Sequence, residues 1–205
     1  LPISNLVLPL QLFSLAKKYQ IKAFLNIDSF FNNSKYNYSY LPEYTLSKKH
    51  LLEWLKLSLP KTNVKLFNMK IFHMYGKDDS IEKFIPSIIH KMKNNEPFID
   101  LTYGEQKRDF IHIEDVIRAF EIVLISYQNL PNFDKFEIGT GESTSIRDFI
   151  LLVKNKLKSS TRLNFGKLEY RENEIMFSKA VNSKLIKLGW KVHYDLEEGV
   201  LNVLK

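Results

Sequence analysis

The chain contains no cysteine among its 205 residues. This absence excludes disulfide bonds and thiolate metal sites, and it suits a reducing compartment such as the cytoplasm, where we expect the protein to work. The five histidines lack the spacing of metal ligands, so no structural metal is expected. Apolar runs long enough to span a bilayer and the features of a signal peptide are also missing, so no membrane partner is expected.

Glycine is scarce, and its distribution is informative. There are seven glycines, and none precedes Gly76. A dinucleotide-binding turn needs closely spaced glycines, because the backbone must approach the pyrophosphate. Only Gly139-Thr140-Gly141 comes near this pattern, and it lacks the third glycine and falls in the wrong half of the chain. The sequence therefore predicts no phosphate-binding turn of this type.

The net charge of +7 is spread along the chain rather than concentrated in one run. A basic excess suits either a small anionic ligand, such as a nucleotide, or nucleic acid. Because no segment combines clustered basic residues with aromatic side chains, we favour a small anionic substrate and expect no nucleic-acid partner. A non-catalytic binding module remains the alternative from a different functional class.

The first third of the chain alternates between helical and strand patterns. A helical stripe covers 5–19, and a second one runs from Pro42 to near Pro60. Short apolar runs at 21–28 and 63–76 predict buried strands. Helix, strand, helix and strand in this order are typical of a parallel α/β sheet.

Beyond Gly76 the pattern predicts a smaller, mixed α/β region. Ser145 and Asp148 have the spacing of a capping box at the start of one of its helices. The predicted elements are a helix or helix pair in 79–95, two strands and a helix in 97–127, a strand in 135–144, a helix in 145–158, and a final strand and short helix.

Two Tyr-x-x-x-Lys pairs occur, Tyr44/Lys48 and Tyr103/Lys107. With 10 tyrosines and 25 lysines in 205 residues, chance alone gives roughly one such pair, so the spacing by itself indicates nothing. The second pair straddles Gly104 in a predicted turn. Context must therefore decide whether the first pair has a function.

The helical stripe supplies this context. Tyr44 and Lys48 begin a stripe that continues through Leu51 and Leu55, and a purely structural stripe would not place a lysine in its second turn. Ser29 closes the preceding strand, at the carboxyl end where open α/β sheets bind ligands. A phenol, an ammonium group that favours the phenolate, and a hydroxyl predict a site for proton transfer to a carbonyl or alcohol oxygen.

The segments "NIDSFF", "YTLSK" and "GEQKRDFIHIEDV" resemble the extended short-chain dehydrogenase/reductase family, which comprises nucleotide-sugar epimerases, dehydratases and reductases. The Arg-Asp-Phe-Ile-His-x-x-Asp run is the most specific of these motifs; within it, His112 and Asp115 are expected to stabilise the fold. The family begins with a glycine-rich cofactor turn that this sequence lacks. The resemblance thus implies a C-terminal fragment, short of about 90 residues at ~30 per βα unit and inactive alone.

This resemblance implies the fold. Residues 1–76 are expected to be the C-terminal half of a Rossmann-type parallel sheet with the catalytic helix. Residues 77–205 are expected to form a smaller mixed α/β substrate-binding domain, with part of 105–130 packing back on the first. A half sheet also predicts an exposed edge strand, an uncovered apolar face and poor dinucleotide binding by the chain alone.

The resemblance also implies roles near the cofactor. Tyr44 is the proton donor to the substrate O4, and Lys48 tunes it and holds the nicotinamide ribose. Ser29 hydrogen-bonds O4, and Phe72 contacts the nicotinamide end. The implied cofactor is NADP or NAD, with NADPH favoured.

On the substrate side, the resemblance implies that Arg108 and Arg171 grip the diphosphate, a role suited to the planar guanidinium. His73 replaces the asparagine that the family usually places next to the sugar, and Lys83 is a weaker candidate. Structural alternatives stay open: a packed histidine at a strand end, and arginines paired with neighbouring carboxylates.

Within the family, "FLNIDSFF", "GEQKRDFI" and "RENEIMFS" resemble reductases that act on the 4-keto group of CDP-4-keto-3,6-dideoxyglucose in O-antigen sugar biosynthesis, and a homodimer is expected for the full-length enzyme. A 4-epimerase uses the same trio, so it stays open. A 4,6-dehydratase is disfavoured: it needs an acid/base carboxylate beside the hydroxyl, but Phe30 and Phe31 follow Ser29, and Asp28 should point to the other face.

Overall fold

The computed structural model describes residues 2–32 and 41–205. None of the helices in these ranges is long and apolar enough to cross a membrane. The α-helices are α1 (Leu8–Lys18), α2 (Pro42–Ser58), α3 (Phe84–Lys93), α4 (Ile113–Ser126), α5 (Ile146–Leu157), α6 (Ser183–Lys187) and α7 (Leu196–Leu204). The strands are β1 (Ala23–Ser29), β2 (Lys65–Ile71), β3 (His73–Tyr75), β4 (Phe98–Leu101), β5 (Lys107–Arg108), β6 (Phe110–His112), β7 (Phe133–Ile138), β8 (Thr144–Ser145) and β9 (Arg162–Phe165).

The chain divides into two compact units, and the predicted α/β class is confirmed. Apart from the residues that are not described, unit 1 comprises Leu1–Phe72, Ile117–Ile138 and Val181–Lys191. Unit 2 comprises His73–Val116, Gly139–Ala180 and Val192–Lys205.

Unit 1 is built on a three-stranded parallel sheet in the order β1-β2-β7. The register pairs Asn26 with Asn68 and Asp28 with Lys70. Within the described ranges β1 has no strand on its outer side, and Ile27 of this strand is 53% exposed. This is the exposed edge expected of a half sheet.

Helices α1 and α2 pack against this sheet. Phe13 of α1 and Leu51 and Leu55 of α2 form a buried cluster with Leu66, and Phe24 packs against it. The rings of Phe13 and Phe24 meet edge to face at 5.2 Å. Burying each of these side chains contributes roughly 1.5–3 kcal/mol, which fixes the helix that carries the Tyr44/Lys48 pair on the sheet.

The single strand predicted over 63–76 is wrong, because the chain changes partners within it. The amide of Phe72 donates to Ile138 O at 2.9 Å, whereas the next amide, of His73, donates to Asp109 O at 3.1 Å. The strand thus divides into β2 and β3, which lie in different sheets. A continuous apolar run cannot show such a change, because it carries no information about which strand each residue pairs with.

Unit 2 contains the parallel pairs β3-β6 and β4-β9 and the antiparallel pair β5-β8. Its core includes Met92, Phe110, Phe149 and Val200, contributed by α3, β6, α5 and α7. Helix α3 begins only at Phe84, so the helix predicted from 79 starts too early.

Two helix starts in unit 2 depend on capping side chains. Ser145 Oγ accepts the amide of Asp148 at 3.0 Å, which confirms the predicted cap of α5. Helix α7 was not predicted. It begins at Asp195, whose carboxylate accepts the amide of Glu198 at 2.8 Å.

Candidate active site

Helix α2 holds Tyr44 and Lys48 near its first turns. Its start is marked by Leu41 in the left-handed region (φ 56°) and by proline in the first turn. Both side chains are half-buried. Lys48 Nζ donates to Ile27 O at 2.8 Å and lies 5.8 Å from the centre of the Tyr44 ring. The helix therefore brings this pair to the last residues of β1.

Ser29 is the last residue of β1 and is buried. Its hydroxyl accepts the amide of Phe31 at 3.3 Å, and its own amide donates to Asp28 Oδ1 at 2.8 Å. Among the described residues this hydroxyl donates to no acceptor, so its proton is available to a ligand.

Burial lowers the pKa of Lys48, because desolvation disfavours the ammonium form, and the nearby Asp28 carboxylate partly opposes this shift. A partly desolvated ammonium group one turn from a phenol favours the phenolate more strongly than an exposed one does. The arrangement can therefore release and recover a proton at the tyrosine.

Phe72 directly follows β2 and is the last residue of this segment in unit 1. It is buried, and its ring lies 5.9 Å from that of Phe30. Phe30 in turn lies 4.0 Å from Phe31. The residues that follow Ser29 are thus an aromatic group rather than an acid/base pair.

Arg108 lies in unit 2, and its guanidinium is enclosed by protein. Nη2 donates to Glu174 Oε1 at 2.5 Å, and Nη1 donates to Ile175 O and, at 3.0 Å, to Lys107 O. Arg108 is buried, and the Glu174 side chain is 11% exposed. Arg171 is exposed, and its carbonyl accepts the amide of Glu174 at 3.1 Å. One short turn therefore links the two arginines.

The other two predicted substrate contacts in unit 2 are His73 and Lys83. Desolvation lowers the pKa of His73 well below its ordinary value of 6.5, and the positive charge of Arg108 adds to this. His73 is therefore neutral at physiological pH. Lys83 precedes α3, is 61% exposed and pairs with Asp79 at 2.7 Å.

The glycine turn at 139–141 is occupied by a side chain. The fully buried Asp109 accepts hydrogen bonds from Thr140 N (2.7 Å), Thr140 Oγ1 (2.8 Å), Gly141 N (3.0 Å) and Ala180 N (2.9 Å). Burial raises the pKa of Asp109, and these hydrogen bonds oppose the shift. Because the turn's amides are already used, it cannot cradle a phosphate, in line with the glycine pattern.

His112 and Asp115 also hold the fold, as expected. His112 Nδ1 accepts the amide of Glu114 at 3.3 Å, at the start of α4. Asp115 accepts the amides of His193 and Tyr194, each at 3.0 Å.

The structure adds residues that the sequence reasoning missed. Glu174, the partner of Arg108, carried no signal because 66 positions separate the two. Asp28 carried one, since a carboxylate stands at the end of a largely apolar run. Among the described residues, no group of three or more His, Cys, Asp or Glu could hold a metal ion.

Comparison with known proteins agrees with this architecture. The NAD dependent epimerase/dehydratase family model matches residues 3–139. CDP-abequose synthase of Salmonella typhimurium is 37% identical over 204 residues, covering 98% of this chain and 68% of the relative. The dTDP-4-dehydro-6-deoxyglucose reductase of Escherichia coli is 28% identical over 171 residues, covering 80% of this chain and 52% of the relative.

Among solved structures, UDP-glucose 4-epimerase of Thermotoga maritima superposes with a TM-score of 0.85 at 20% identity, covering 99% of this chain and 69% of that one. At this identity the match shows the fold alone, and the fold is the Rossmann type that the sequence predicted. The chain belongs to the NAD dependent epimerase/dehydratase family.

Proposed function

We propose that the chain carries the catalytic and substrate-binding residues of a nicotinamide-dependent reductase. Its substrate would be the 4-keto group of a nucleotide-linked deoxysugar, CDP-4-keto-3,6-dideoxyglucose, on a route to polysaccharide sugars. The main support is the Lys48 ammonium, held at 2.8 Å by the strand that ends at Ser29 and one turn from Tyr44. The 37% identity to a CDP-abequose synthase supports the substrate class.

In this proposal three side chains perform the proton transfer. Tyr44 gives its phenolic proton to O4, the Lys48 ammonium stabilises the phenolate that results, and the Ser29 hydroxyl donates a hydrogen bond to O4. Lys48 also holds the nicotinamide ribose, and Phe72 contacts the nicotinamide. When bound, NADPH, favoured over NADH by the resemblance, supplies the hydride to C4.

We assign the diphosphate chiefly to Arg171, because it is exposed. Arg108 could join it only by sharing or exchanging its bond to Glu174. His73 would meet the sugar as a neutral imidazole, and Lys83 stays a peripheral candidate.

A 4-epimerase is the second candidate, because it would use the same trio. Net consumption of reduced cofactor separates the two reactions, since an epimerase returns its hydride to the sugar. A 4,6-dehydratase is less suited, because Phe30 and Phe31 pack together where an acid/base carboxylate would be needed.

The test is the reduction of CDP-4-keto-3,6-dideoxyglucose, followed by NADPH absorbance and by NMR of the product. Since the chain has no glycine-rich turn, the assay uses it joined to the part of the Salmonella typhimurium relative that it does not match. A reductase gives one product sugar per NADPH consumed. Epimerised sugar with no NADPH loss would support the second candidate, and an unchanged substrate would support a non-catalytic role.

We also propose a cytoplasmic homodimer. The outer sides of α1 and α2 each present three large apolar side chains that are about half exposed or more; an apolar surface of this kind marks protein contacts. These residues are Leu8, Leu12, Leu15, Leu46, Trp54 and Leu57. Sedimentation of the unmutated chain and of Trp54→Lys tests this surface. We expect the unmutated chain to be a dimer and the variant to be a monomer. A monomeric unmutated chain would contradict the assignment.

A further inference from the structure

Asp28 is a buried carboxylate to which the mechanism above gives no role. It is 2% exposed. Its Oδ1 accepts the amide of Ser29 at 2.8 Å, and its Oδ2 accepts Asn68 Nδ2 at 2.8 Å. Asn32 Nδ2 lies 3.2 Å and 3.1 Å from the two oxygens. Three amide donors around one carboxyl group suit the charged form, which only accepts hydrogen bonds.

A second asparagine extends this arrangement into the sheet. Asn26 Nδ2 donates to Asn68 Oδ1 at 2.7 Å, which leaves the Asn68 amide nitrogen to donate to Asp28. Such a buried network is costly to build and is often no more stable than apolar residues of the same volume. Filling space in the sheet therefore does not explain why a carboxylate stands at position 28.

The side chain of Asp28 faces the helix that carries the catalytic pair. Alternation along β1 puts Asp28 on the same face as Phe24. Phe24 packs against the cluster that contains Leu51 and Leu55 of α2. The next two turns of this helix toward its start carry Lys48 and Tyr44, so Asp28 lies beneath the end of α2 where the pair is located.

Lys48 is the cation on which Asp28 acts. Within the described ranges, Asp28 has no ion pair at 4 Å or less, and Lys48 Nζ makes one hydrogen bond, to Ile27 O. Burial and Asp28 act on the pKa of Lys48 in opposite directions. Among the described sheet residues, the other charged groups on this face are Lys70 of β2, beside Asp28 in the register, and Lys135 and Glu137 of β7, beside Asn68 and Lys70.

We propose that Asp28 is a positioning residue for the Tyr44/Lys48 pair. Its buried negative charge keeps the partly desolvated Lys48 ammonium protonated, and its bond to the Ser29 amide fixes the end of β1 from which Ile27 O holds that ammonium. The inference rests on the proposed function, because a protonated lysine next to Tyr44 is needed only where the tyrosine transfers a proton.

The test measures the titration midpoint of Lys48 directly, in the 205-residue chain labelled with [ε-¹³C]lysine. The Lys48 signal is assigned by its loss in Lys48→Met and is followed by NMR over alkaline pH. In Asp28→Asn, which keeps the shape and an acceptor for the Ser29 amide, the Lys48 midpoint is expected to move to lower pH. A purely structural role for Asp28 would not move this midpoint in a folded variant.

Asp134→Asn is the matched control. Asp134 lies in β7 of the same sheet, accepts the next amide, that of Lys135, at 2.7 Å, and pairs with Lys184. It therefore has the same local hydrogen bond as Asp28 but a different cation. Its neutralisation is expected to leave the Lys48 midpoint where the parent has it.

An unchanged Lys48 midpoint in folded Asp28→Asn would overturn the proposal. Should Asp28→Asn fail to fold, Asp28→Ser is the second neutral variant. Failure of both to fold would also overturn it, because Asp28 would then be needed for the fold rather than for Lys48. The titration uses no substrate, so a coupled Asp28 and Lys48 in a chain that reduces no 4-keto sugar would reject the proposed function alone.

Discussion

The proposed proton-transfer residues of unit 1 and the polar motif residues Arg108 and Asp109 of unit 2 are held in opposite ways. In unit 1, among the described residues, Lys48 makes one hydrogen bond and the Ser29 hydroxyl accepts one long one. In unit 2, Asp109 accepts four hydrogen bonds and is fully buried, and Arg108 is enclosed by Glu174 and two carbonyl groups. Groups with spare hydrogen-bonding capacity can serve a ligand, whereas saturated groups hold the chain together.

The residues that identify the family differ from those that we propose perform the chemistry. The Arg-Asp-Phe-Ile-His-x-x-Asp run is the most specific motif of the sequence, yet Arg108, Asp109, His112 and Asp115 are all buried and bonded to protein. The Tyr-x-x-x-Lys spacing is the least specific motif, and it carries the proposed proton transfer. Motif specificity here reflects structural constraint more than catalytic role.

The largest effect on stability is expected for Asp109→Asn in unit 2. Replacing one carboxylate oxygen by an NH2 group removes an acceptor and turns a donor toward the backbone N–H groups that now donate to Asp109. We expect the free energy of unfolding to fall by about 3 kcal/mol or more. Urea unfolding followed by circular dichroism measures this change, with Glu142→Gln as the control on the exposed neighbour in the same turn. A loss of less than about 0.5 kcal/mol would contradict the view that the bonded residues of unit 2 hold the chain together.

A smaller loss is expected for Gly199→Ala in α7. In a helix this change would ordinarily stabilise by up to about 1 kcal/mol. Here the new methyl group would lie 2.1 Å from the Tyr75 hydroxyl, and Tyr75 is buried. We expect a net loss of about 1–3 kcal/mol. The double variant Tyr75→Phe/Gly199→Ala should lose less than the two single variants added together; a fully additive result would reject the contact as the cause.

Because of His73, the free energy of unfolding is expected to fall by about 1 kcal/mol on acidification. Its folded-state pKa lies below the ordinary 6.5, so below pH 6.5 the unfolded chain binds a proton that the folded chain does not. The free energy of unfolding therefore falls as the pH decreases from 7.5 to 5.5. In His73→Asn this part of the fall should disappear, whereas His50→Asn, which removes an exposed histidine, should retain it. Equal pH dependence in the parent and His73→Asn would contradict burial as a neutral imidazole.

The smallest effect on stability is expected in unit 1. Tyr44→Phe and Lys48→Met remove polar groups that are only half-buried, so we expect the free energy of unfolding to change by less than about 0.5 kcal/mol. Thermal and urea unfolding of both variants check this. Losses as large as that of Asp109→Asn would show that the pair is structural.

The sequence predicted the elements of unit 1 well, because helical periodicity and short apolar runs are local signals. It also placed Tyr44, Lys48 and Ser29 on the correct helix and strand. It could not show that the chain changes sheets between Phe72 and His73. Contacts between distant positions were also out of reach: Asp109 meets partners 31 and 71 positions away, and no local pattern encodes such pairs.

The most direct test of the central claim is the turnover of Tyr44→Phe. The variant and the unmutated chain, each joined to the part of the Salmonella typhimurium relative that the chain does not match, are compared in NADPH-dependent reduction of CDP-4-keto-3,6-dideoxyglucose, with unfolding measured alongside. We predict that kcat falls by about a hundredfold or more while stability stays at the parent value. Turnover of the variant within about twofold of the parent would contradict the account.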